Sequence, residues 1–316
     1  MSYAAGGGHD LKMISESFYK GRPAVIVESG DLVSVFLPQD GGKMASLRVR
    51  SSGKELLAVK AGDEYKVLTY DGDYVSSECS GFDDMFPTVD PFTPMEGAYE
   101  GITYPDHGET CRIPYDVSLQ EEGVVLTASS RLFPIDYRKT IRPAEDGGID
   151  IFYRITNSGD VPFPYLWAGH IMLQGEEGIR VFTPFDEKTP TEMMFATKGV
   201  PESVLPLDHL TGYRPGTGAA YKFYYLEPMK EGCFGLEYPE GSRLIFEVDP
   251  KKVPYLGIWF NNGEFQNLYS ITPEPCTVPF DAPDKAKQHG YMSVIPAKSK
   301  FEFKMHIAWK EKTEYV

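Results

Sequence analysis

Cysteine is scarce in this chain, and the few cysteines lie far apart. The 316 residues include four of them, Cys79, Cys111, Cys233 and Cys276, and no two form a C-x-x-C pair. Disulfide frameworks are typical of short, cysteine-rich secreted chains, and structural zinc sites use closely spaced cysteine pairs. The spacing therefore favours reduced thiols that pack as small hydrophobic side chains.

Basic side chains are outnumbered by acidic ones. The chain has 31 Lys and Arg against 46 Asp and Glu, which gives a formal net charge of -15. An excess of negative charge repels phosphate backbones and anionic membrane surfaces at long range. We therefore expect neither a nucleic-acid partner nor a membrane partner.

Long apolar runs are missing as well. No stretch approaches the roughly 20 apolar residues of a membrane span, and the N-terminus, MSYAAGGGHDLKM, has no apolar segment after a basic one. We expect a cytoplasmic protein. The small and polar residues 1–12 are expected to be a flexible lead. Residues 13–316 contain no repeat or hinge-like linker, which predicts a single domain.

Alternation of apolar and polar residues is the main pattern that is present. In IDIFYRIT, residues 149–156, one face carries Ile, Ile, Tyr and Ile, and FEFKMHIAW, residues 301–309, repeats the pattern. A period of two is typical of half-buried strands. Similar short runs are AVIVE, LVSVFL, ASLRVR, VVLTASS, AAYKFYYL, RLIFEVD and YLGIWF. Many antiparallel strands without crossover helices predict an all-β fold, a large antiparallel β-sandwich.

Two segments, roughly residues 61–118 and 184–218, do not look like strands. They are rich in Pro, Gly, Asp and Tyr. Loops of this length in a compact β-protein are usually functional or disordered. Because disordered segments are poor in aromatic residues, the aromatic content here favours function.

Four of the six histidines are set aside as catalytic candidates. His306 falls on the polar face of its predicted strand and is interpreted as solvated. His9 lies in the lead, and His209 and His289 lie in polar, turn-like contexts that favour a surface position.

Three residues remain as candidates for acid–base chemistry. His170, in PFPYLWAGHIMLQ, alternates with aliphatic residues, so it is either a hydrogen-bonded core histidine or a catalytic one. His107, between Asp106 and Gly108, either orders its loop or acts there, and the glycine permits a tight turn. Glu274 stands between two prolines in TPEPC, which predicts a rigid strand end or sheet edge rather than a central strand.

The order of these motifs resembles the aldose 1-epimerase family, the galactose mutarotase-like proteins. The likeness consists of HG at 107–108 followed by Arg112, GH at 169–170 after NSGDVPFPY, and TPEPCTVPFD at 272–281. The segment LPQDGGKMASLRVRSSGKELL, residues 37–57, is similar to the opening strands of that family. The resemblance runs from about residue 24 to 311 and implies a β-sandwich with a sugar cleft on one face.

The resemblance also implies roles for the three candidates. His107 matches the first active-site histidine of the family, and His170 matches the second, which serves as general acid. Glu274 matches the general base near the C-terminus.

The resemblance assigns three further polar residues to sugar binding less specifically. Arg112 matches a contact to a sugar hydroxyl. The substrate-orienting aspartate of the family corresponds to Asp83 or Asp84, and the sequence does not choose between them.

Anomer interconversion needs a base on the C1 hydroxyl and an acid on the ring oxygen. With ordinary pKa values of about 4.3 for Glu and about 6.5 for His, the carboxylate is ionised at neutral pH and roughly a quarter of the imidazole is protonated. A nearby carboxylate is expected to raise that protonated fraction. An aromatic ring, that of Trp259, Phe82 or Tyr104, is expected to stack on the apolar face of the sugar, with core packing as the alternative for Trp259.

No metal or organic cofactor is expected, because no cluster of residues has ligand spacing and proton transfer alone completes the reaction. Three alternatives stay open. A sugar-phosphate mutarotase would require an Arg or Lys cluster. A non-catalytic carbohydrate-binding protein would depend on its aromatic residues, and a different carbohydrate enzyme could use the same fold.

Overall fold

β-Structure dominates the computed structural model, which describes residues 12–197 and 218–312. These residues form 21 strands, one short α-helix and one turn of 3-10 helix at Thr110–Arg112. The strands of the first half are β1 Lys12–Tyr19, β2 Arg22–Ser29, β3 Leu32–Leu37, β4 Lys43–Val49, β5 Phe82–Met85, β6 Asp116–Gln120, β7 Gly123–Ser129, β8 Ile135–Pro143, β9 Ile149–Asn157 and β10 Phe163–Tyr165. Those of the second half are β11 Ala168–Ile171, β12 Leu173–Gln174, β13 Arg180–Phe182, β14 Thr191–Ala196, β15 Ala220–Tyr225, β16 Cys233–Glu237, β17 Arg243–Val248, β18 Tyr255–Asn262, β19 Tyr269–Cys276, β20 Ser293–Ile295 and β21 Ser299–Lys310. The helix α1 is Pro283–Gln288.

The strands form two large antiparallel sheets and one small one. The larger sheet has the order β1-β2-β3-β4-β5-β11-β19-β18-β15-β14, with β12 paired to β19. The second large sheet has the order β13-β16-β17-β21-β9-β8-β7-β6, and β10 pairs with β20. The predicted all-β sandwich is confirmed.

Alternation places the core between the sheets. In β9 the side chains of Ile149 and Ile151 are buried, and they pair in register with the buried Ile307 and Met305 of β21. Buried side chains from both large sheets belong to one continuous hydrophobic cluster. The four cysteines are free, as predicted, two of them buried and two half-buried.

The prediction that Glu274 lies at a strand end or sheet edge is wrong. Strand β19 is central, with β18 on one side and β11 and β12 on the other. On the latter side β12 pairs at Ile271 and β11 pairs at Cys276. Pro273 and Pro275 lie between these two pairings. The N–H groups that they lack are therefore not needed for hydrogen bonds to β11 or β12.

The two long segments are only partly irregular. Residues 61–118 contain β5, the 3-10 turn and the start of β6, and residues 184–218 contain β14. Residues 198–217, with His209, lie outside the described part of the chain.

The ends of the chain bear on the expected boundaries. The lead was expected to end at residue 12, and β1 begins at that residue. Residues 1–11, with His9, and 313–316 lie outside the described ranges, so the single domain spanning 13–316 stays a prediction. Within the described ranges, no helix has both the length and the apolar character needed to cross a membrane.

Candidate active site

A cavity of about 360 Å³ lies over the central strands of the larger sheet. Within residues 12–197 and 218–312, the strands that contribute lining side chains, β5, β11, β14, β15, β18 and β19, all belong to that sheet. The loops before β5 and between β5 and β6 provide part of the remaining wall. The residues that line it are Tyr74, Val75, Cys79, Met85, Val89, Asp90, His107, His170, Met172, Phe195, Lys222, Trp259, Asn261, Phe265, Gln266, Leu268, Glu274 and Asp281.

Glu274 lies on β19 with its carboxylate buried against a lysine. Its Oε2 is 2.6 Å from Nζ of Lys222, which is 2.7 Å from Oδ1 of Asp281. Burial raises the pKa of Glu274, and the ammonium of Lys222 only partly opposes that rise. A raised pKa makes this carboxylate a stronger proton acceptor when it is ionised.

Lys222 is held charged between its two partners. Burial alone would lower its pKa, but the carboxylates of Asp281 and Glu274 outweigh burial and raise the pKa above its ordinary value. The hydroxyl of Tyr224 donates a hydrogen bond to Asp281 at 2.8 Å, which adds a further partner to that carboxylate.

His170 lies on β11, beside Glu274 in space. Its Nε2 is 3.7 Å from Oε1 of Glu274, and its side chain is buried. Burial lowers the pKa of His170 well below its ordinary value, and the charges of His107, Lys222 and Lys43 lower it further. The expectation that a nearby carboxylate raises the protonated fraction is therefore wrong, because desolvation and neighbouring positive charge act in the opposite direction.

His107 reaches the cavity from a tight turn. The N–H of Gly108 donates to the carbonyl of Pro105 at 2.9 Å, and His107 itself has a φ of 57°. A Cβ on Gly108 would lie 2.4 Å from the carbonyl oxygen of Phe86, so the turn requires glycine. The predicted glycine turn is present, and the rings of His107 and His170 have centroids 6.0 Å apart. The three predicted acid–base residues thus converge on one cavity.

Tyr74 and Lys222 are functional candidates that the sequence analysis missed. The ring of Tyr74 is stacked on that of His107 with centroids 3.8 Å apart and an interplanar angle of 10°. No periodic pattern surrounds Tyr74 in the sequence. Lys222 had a usable signal, since it is the one charged residue in the apolar run AAYKFYYL.

The two aspartates of β5 point in different directions. Asp83 is buried on the side of His170, where its Oδ2 accepts the hydroxyl hydrogen of Tyr74 at 2.8 Å and lies 3.0 Å from Nζ of Lys43. Asp84 instead pairs with Lys139 of β8, in the second sheet, at 2.8 Å. Neither aspartate lines the cavity, and the contact of Asp84 is a link between the sheets.

Arg112 does not line the cavity, contrary to its expected contact with a sugar hydroxyl. Its guanidinium is buried and donates to the carbonyl oxygens of Tyr70, Gly72 and Asp106 at 2.7 to 3.1 Å. Those carbonyls belong to the loops that carry Tyr74 and His107. Arg112 therefore joins the two loops.

Two of the three predicted stacking aromatics are in the core. Phe82 and Tyr104 are fully buried in the main hydrophobic cluster and do not line the cavity. Trp259 is half-buried and lines the cavity together with Phe195 and Phe265. The ring of Trp259 has centroid distances of 5.6 Å to Phe195 and 5.5 Å to Phe265, so it belongs to an aromatic wall.

His306 and His289 lie away from the cavity. His289 is exposed, as predicted, and stacks on Phe280. His306 is not simply solvated, because its ring nitrogens lie 2.7 Å from a carboxylate oxygen of Asp150 and 3.1 Å from one of Asp146.

Solved structures of low sequence identity share this fold. A proposed aldose 1-epimerase of Klebsiella pneumoniae matches with a TM-score of 0.70 and 13% identity over 95% of this chain and 83% of that one. A galactose mutarotase-like protein of Clostridium acetobutylicum gives a TM-score of 0.67 and 14% identity over 95% and 99% of the two chains. A galactose mutarotase-like protein of Lactobacillus casei gives 0.61 and 16% over 90% and 99%.

No family model and no curated protein matches the chain. The structural likeness therefore establishes the fold. The chain has the same antiparallel β-sandwich fold as these galactose mutarotase-like structures, so the fold that the sequence resemblance implied is confirmed.

Proposed function

We propose that the protein is an aldose 1-epimerase that interconverts the α and β anomers of a neutral aldose without a cofactor. The observation that carries the proposal is the convergence of Glu274, His170 and His107 on one cavity, with Nε2 of His170 3.7 Å from the Glu274 carboxylate. A gap of this size lets both groups reach neighbouring oxygens of one pyranose ring.

The reaction is a pair of proton transfers around one bond. Glu274 accepts the proton of the C1 hydroxyl while His170, in its imidazolium form, donates a proton to the ring oxygen. The bond between C1 and the ring oxygen breaks and the open-chain aldehyde forms. After rotation about the bond between C1 and C2, the protons return by the reverse path and the ring closes as the other anomer. His107 donates a hydrogen bond near the ring oxygen and orients the sugar.

The charges of the site support this assignment in different ways. Lys222 opposes the effect of burial on Glu274, which favours the ionised base. The lowered pKa of His170 makes its imidazolium a strong acid, while it reduces the fraction that carries the proton. The productive pair, an ionised Glu274 with a protonated His170, is thus a minor and reactive form of the site.

A neutral sugar fits the cavity better than a sugar phosphate. Lys222 is the one Lys or Arg among the described lining residues, and both Glu274 and Asp281 already pair with it. A phosphate group needs unpaired cationic donors, and Asp90 and Asp281 in the wall would repel it. The runner-up, a sugar-phosphate mutarotase, is therefore less well supported.

The test is anomer exchange measured by saturation-transfer NMR on several aldoses, with a binding titration on the same samples. We expect the wild-type protein to increase the exchange rate well above the spontaneous rate. A protein that binds the sugar but leaves the spontaneous rate unchanged would be a carbohydrate-binding protein, the second alternative, and would contradict the proposal.

A further inference from the structure

One buried side chain contacts both histidines of the cavity. Tyr74 is 1% exposed, stacks on His107, and places its hydroxyl oxygen 3.4 Å from Nδ1 of His170. The same oxygen is 2.8 Å from Oδ2 of Asp83. The hydroxyl of Tyr74 therefore lies between a carboxylate and the imidazole nitrogen that points away from Glu274.

The number of hydrogens decides how these groups bond. Asp83 forms an ion pair with Lys43, so its carboxylate accepts hydrogen bonds and has no hydrogen to donate. A phenol has one hydrogen, and at 2.8 Å that hydrogen is donated to Asp83. The oxygen of Tyr74 then has only lone pairs left for His170, which must supply the hydrogen from Nδ1.

The position of Tyr74 is fixed independently of this contact. Its carbonyl accepts hydrogen bonds from the N–H and the hydroxyl of Ser77, and the preceding carbonyls of Tyr70 and Gly72 are held by Arg112. Burial and the charge of Asp83 raise the pKa of Tyr74 well above its ordinary value, so the phenol keeps its hydrogen over the working pH range. At 3.4 Å the contact with His170 is longer than a typical hydrogen bond, so it contributes little to the stability of the fold.

We propose that Tyr74 is a positioning residue that keeps the ring proton of neutral His170 on Nδ1, so that His170 gains and loses its catalytic proton at Nε2. Nε2 is the nitrogen that lies beside the carboxylate of Glu274. The inference rests on the proposed function for its catalytic meaning, whereas the tautomer itself does not depend on activity. The arrangement is a Lys43–Asp83–Tyr74–His170 chain in which a tyrosine transmits the orienting effect of a buried carboxylate.

The first test is the tautomer of His170 in the wild-type protein. Nitrogen-15 NMR of the histidine-labelled protein distinguishes a protonated ring nitrogen from a bare one, and the signals that disappear in His170→Asn identify the residue. We expect a protonated Nδ1 and a bare Nε2 at neutral pH. A neutral ring protonated on Nε2 would overturn the inference, whether or not the protein has epimerase activity.

The second test is Tyr74→Phe, which removes the hydroxyl and keeps the ring stacked on His107. We expect the proton of His170 to move partly or wholly to Nε2, and kcat to fall by about 10- to 100-fold, the range seen when a residue that orients a metal-binding imidazole is lost. KM should change little. The matched control is Tyr99→Phe, because the buried hydroxyl of Tyr99 has no hydrogen-bond partner among the described residues.

The outcomes separate this inference from the proposed function. The positioning role is overturned if the tautomer of His170 is unchanged in Tyr74→Phe, or if the tautomer changes and kcat stays within about twofold of the wild type. In either case the epimerase proposal stands as long as the wild-type protein catalyses anomer exchange. If the wild type has no epimerase activity, the role in catalysis fails with the proposed function, and the wild-type spectrum still decides the tautomer. If Tyr74→Phe does not fold, that same spectrum decides the inference.

Discussion

Replacing Glu274 by Gln gives the sharpest test of the proposed chemistry. Glutamine has nearly the shape of glutamate and can still bond to Lys222 through its amide oxygen, but it cannot accept the proton of the C1 hydroxyl. The change therefore removes the base and leaves the shape of the cavity. We expect kcat for anomer exchange to fall while the affinity for sugar changes little.

The size of the loss follows from the environment of the carboxylate. A positioned general base contributes about 10² to 10⁴ in rate, which at about 1.4 kcal/mol per factor of ten is about 3 to 6 kcal/mol of activation free energy. Burial raises the pKa of Glu274, which strengthens its carboxylate as a proton acceptor. The fold should survive, because Lys222 keeps its 2.7 Å ion pair with Asp281 and is not left as an unpaired buried charge.

Saturation-transfer NMR and a calorimetric titration on the same preparation measure the two quantities. The matched control is Glu55→Gln, which removes a half-buried carboxylate that bonds to the hydroxyl of Ser46 and to the N–H of Leu47 away from the cavity. Glu55→Gln should retain kcat within about twofold. If Glu274→Gln keeps full activity, or loses affinity and activity in equal proportion, Glu274 is not the base.

Three further predictions concern pH, loop anchoring and substrate charge. The value of kcat/KM should have a bell-shaped pH dependence with its maximum on the acid side of neutrality. The reason is that Glu274 must be ionised while His170, whose pKa is lowered, must be protonated. A plateau of kcat/KM through alkaline pH would contradict the assignment. Arg112→Ala should lower the free energy of unfolding by about 2 kcal/mol or more, because it leaves buried carbonyls without a hydrogen-bond donor. Thermal unfolding measures this change. A loss of sugar affinity at unchanged stability would instead favour the interpretation that Arg112 contacts a sugar hydroxyl. A neutral aldose should bind better than its 6-phosphate in a titration, since Lys222 is already paired, and a clear preference for the phosphate would favour the sugar-phosphate alternative.

The strands could be predicted because their signal is local. A period of two over residues 149–156 and 301–309 is visible in the chain, and the two segments became the adjacent strands β9 and β21 with their buried faces in register. The position of β19 could not be predicted by the same means. The prolines of β19 argue against a central strand. They are tolerated there because the pairing of β19 with its neighbours β11 and β12 is interrupted at the prolines, and this gap depends on the tertiary structure.

The acid–base candidates were found by residue type and order, whereas their environment was not. The sequence shows neither the burial of His170 nor its charged neighbours, so it could not show that burial, and then the charges of His107, Lys222 and Lys43, lower the pKa of that imidazole. It also could not separate Asp83 from Asp84. Adjacent residues of a strand point to opposite faces, and only the structure shows which face is directed to the cavity and which to Lys139.

The residues of the candidate site, three catalytic and one positioning, divide into two groups that are held in place by different means. Glu274 and His170 lie on strands β19 and β11, whose backbone ladders fix them within the sheet. His107 and Tyr74 lie on loops and depend on Arg112, whose guanidinium binds the carbonyls on both loops. The short separation between the HG pair and Arg112 lets the guanidinium reach back to the carbonyl of Asp106. Because the same guanidinium also binds the carbonyls of Tyr70 and Gly72, one side chain fixes the loop of Tyr74 relative to that of His107.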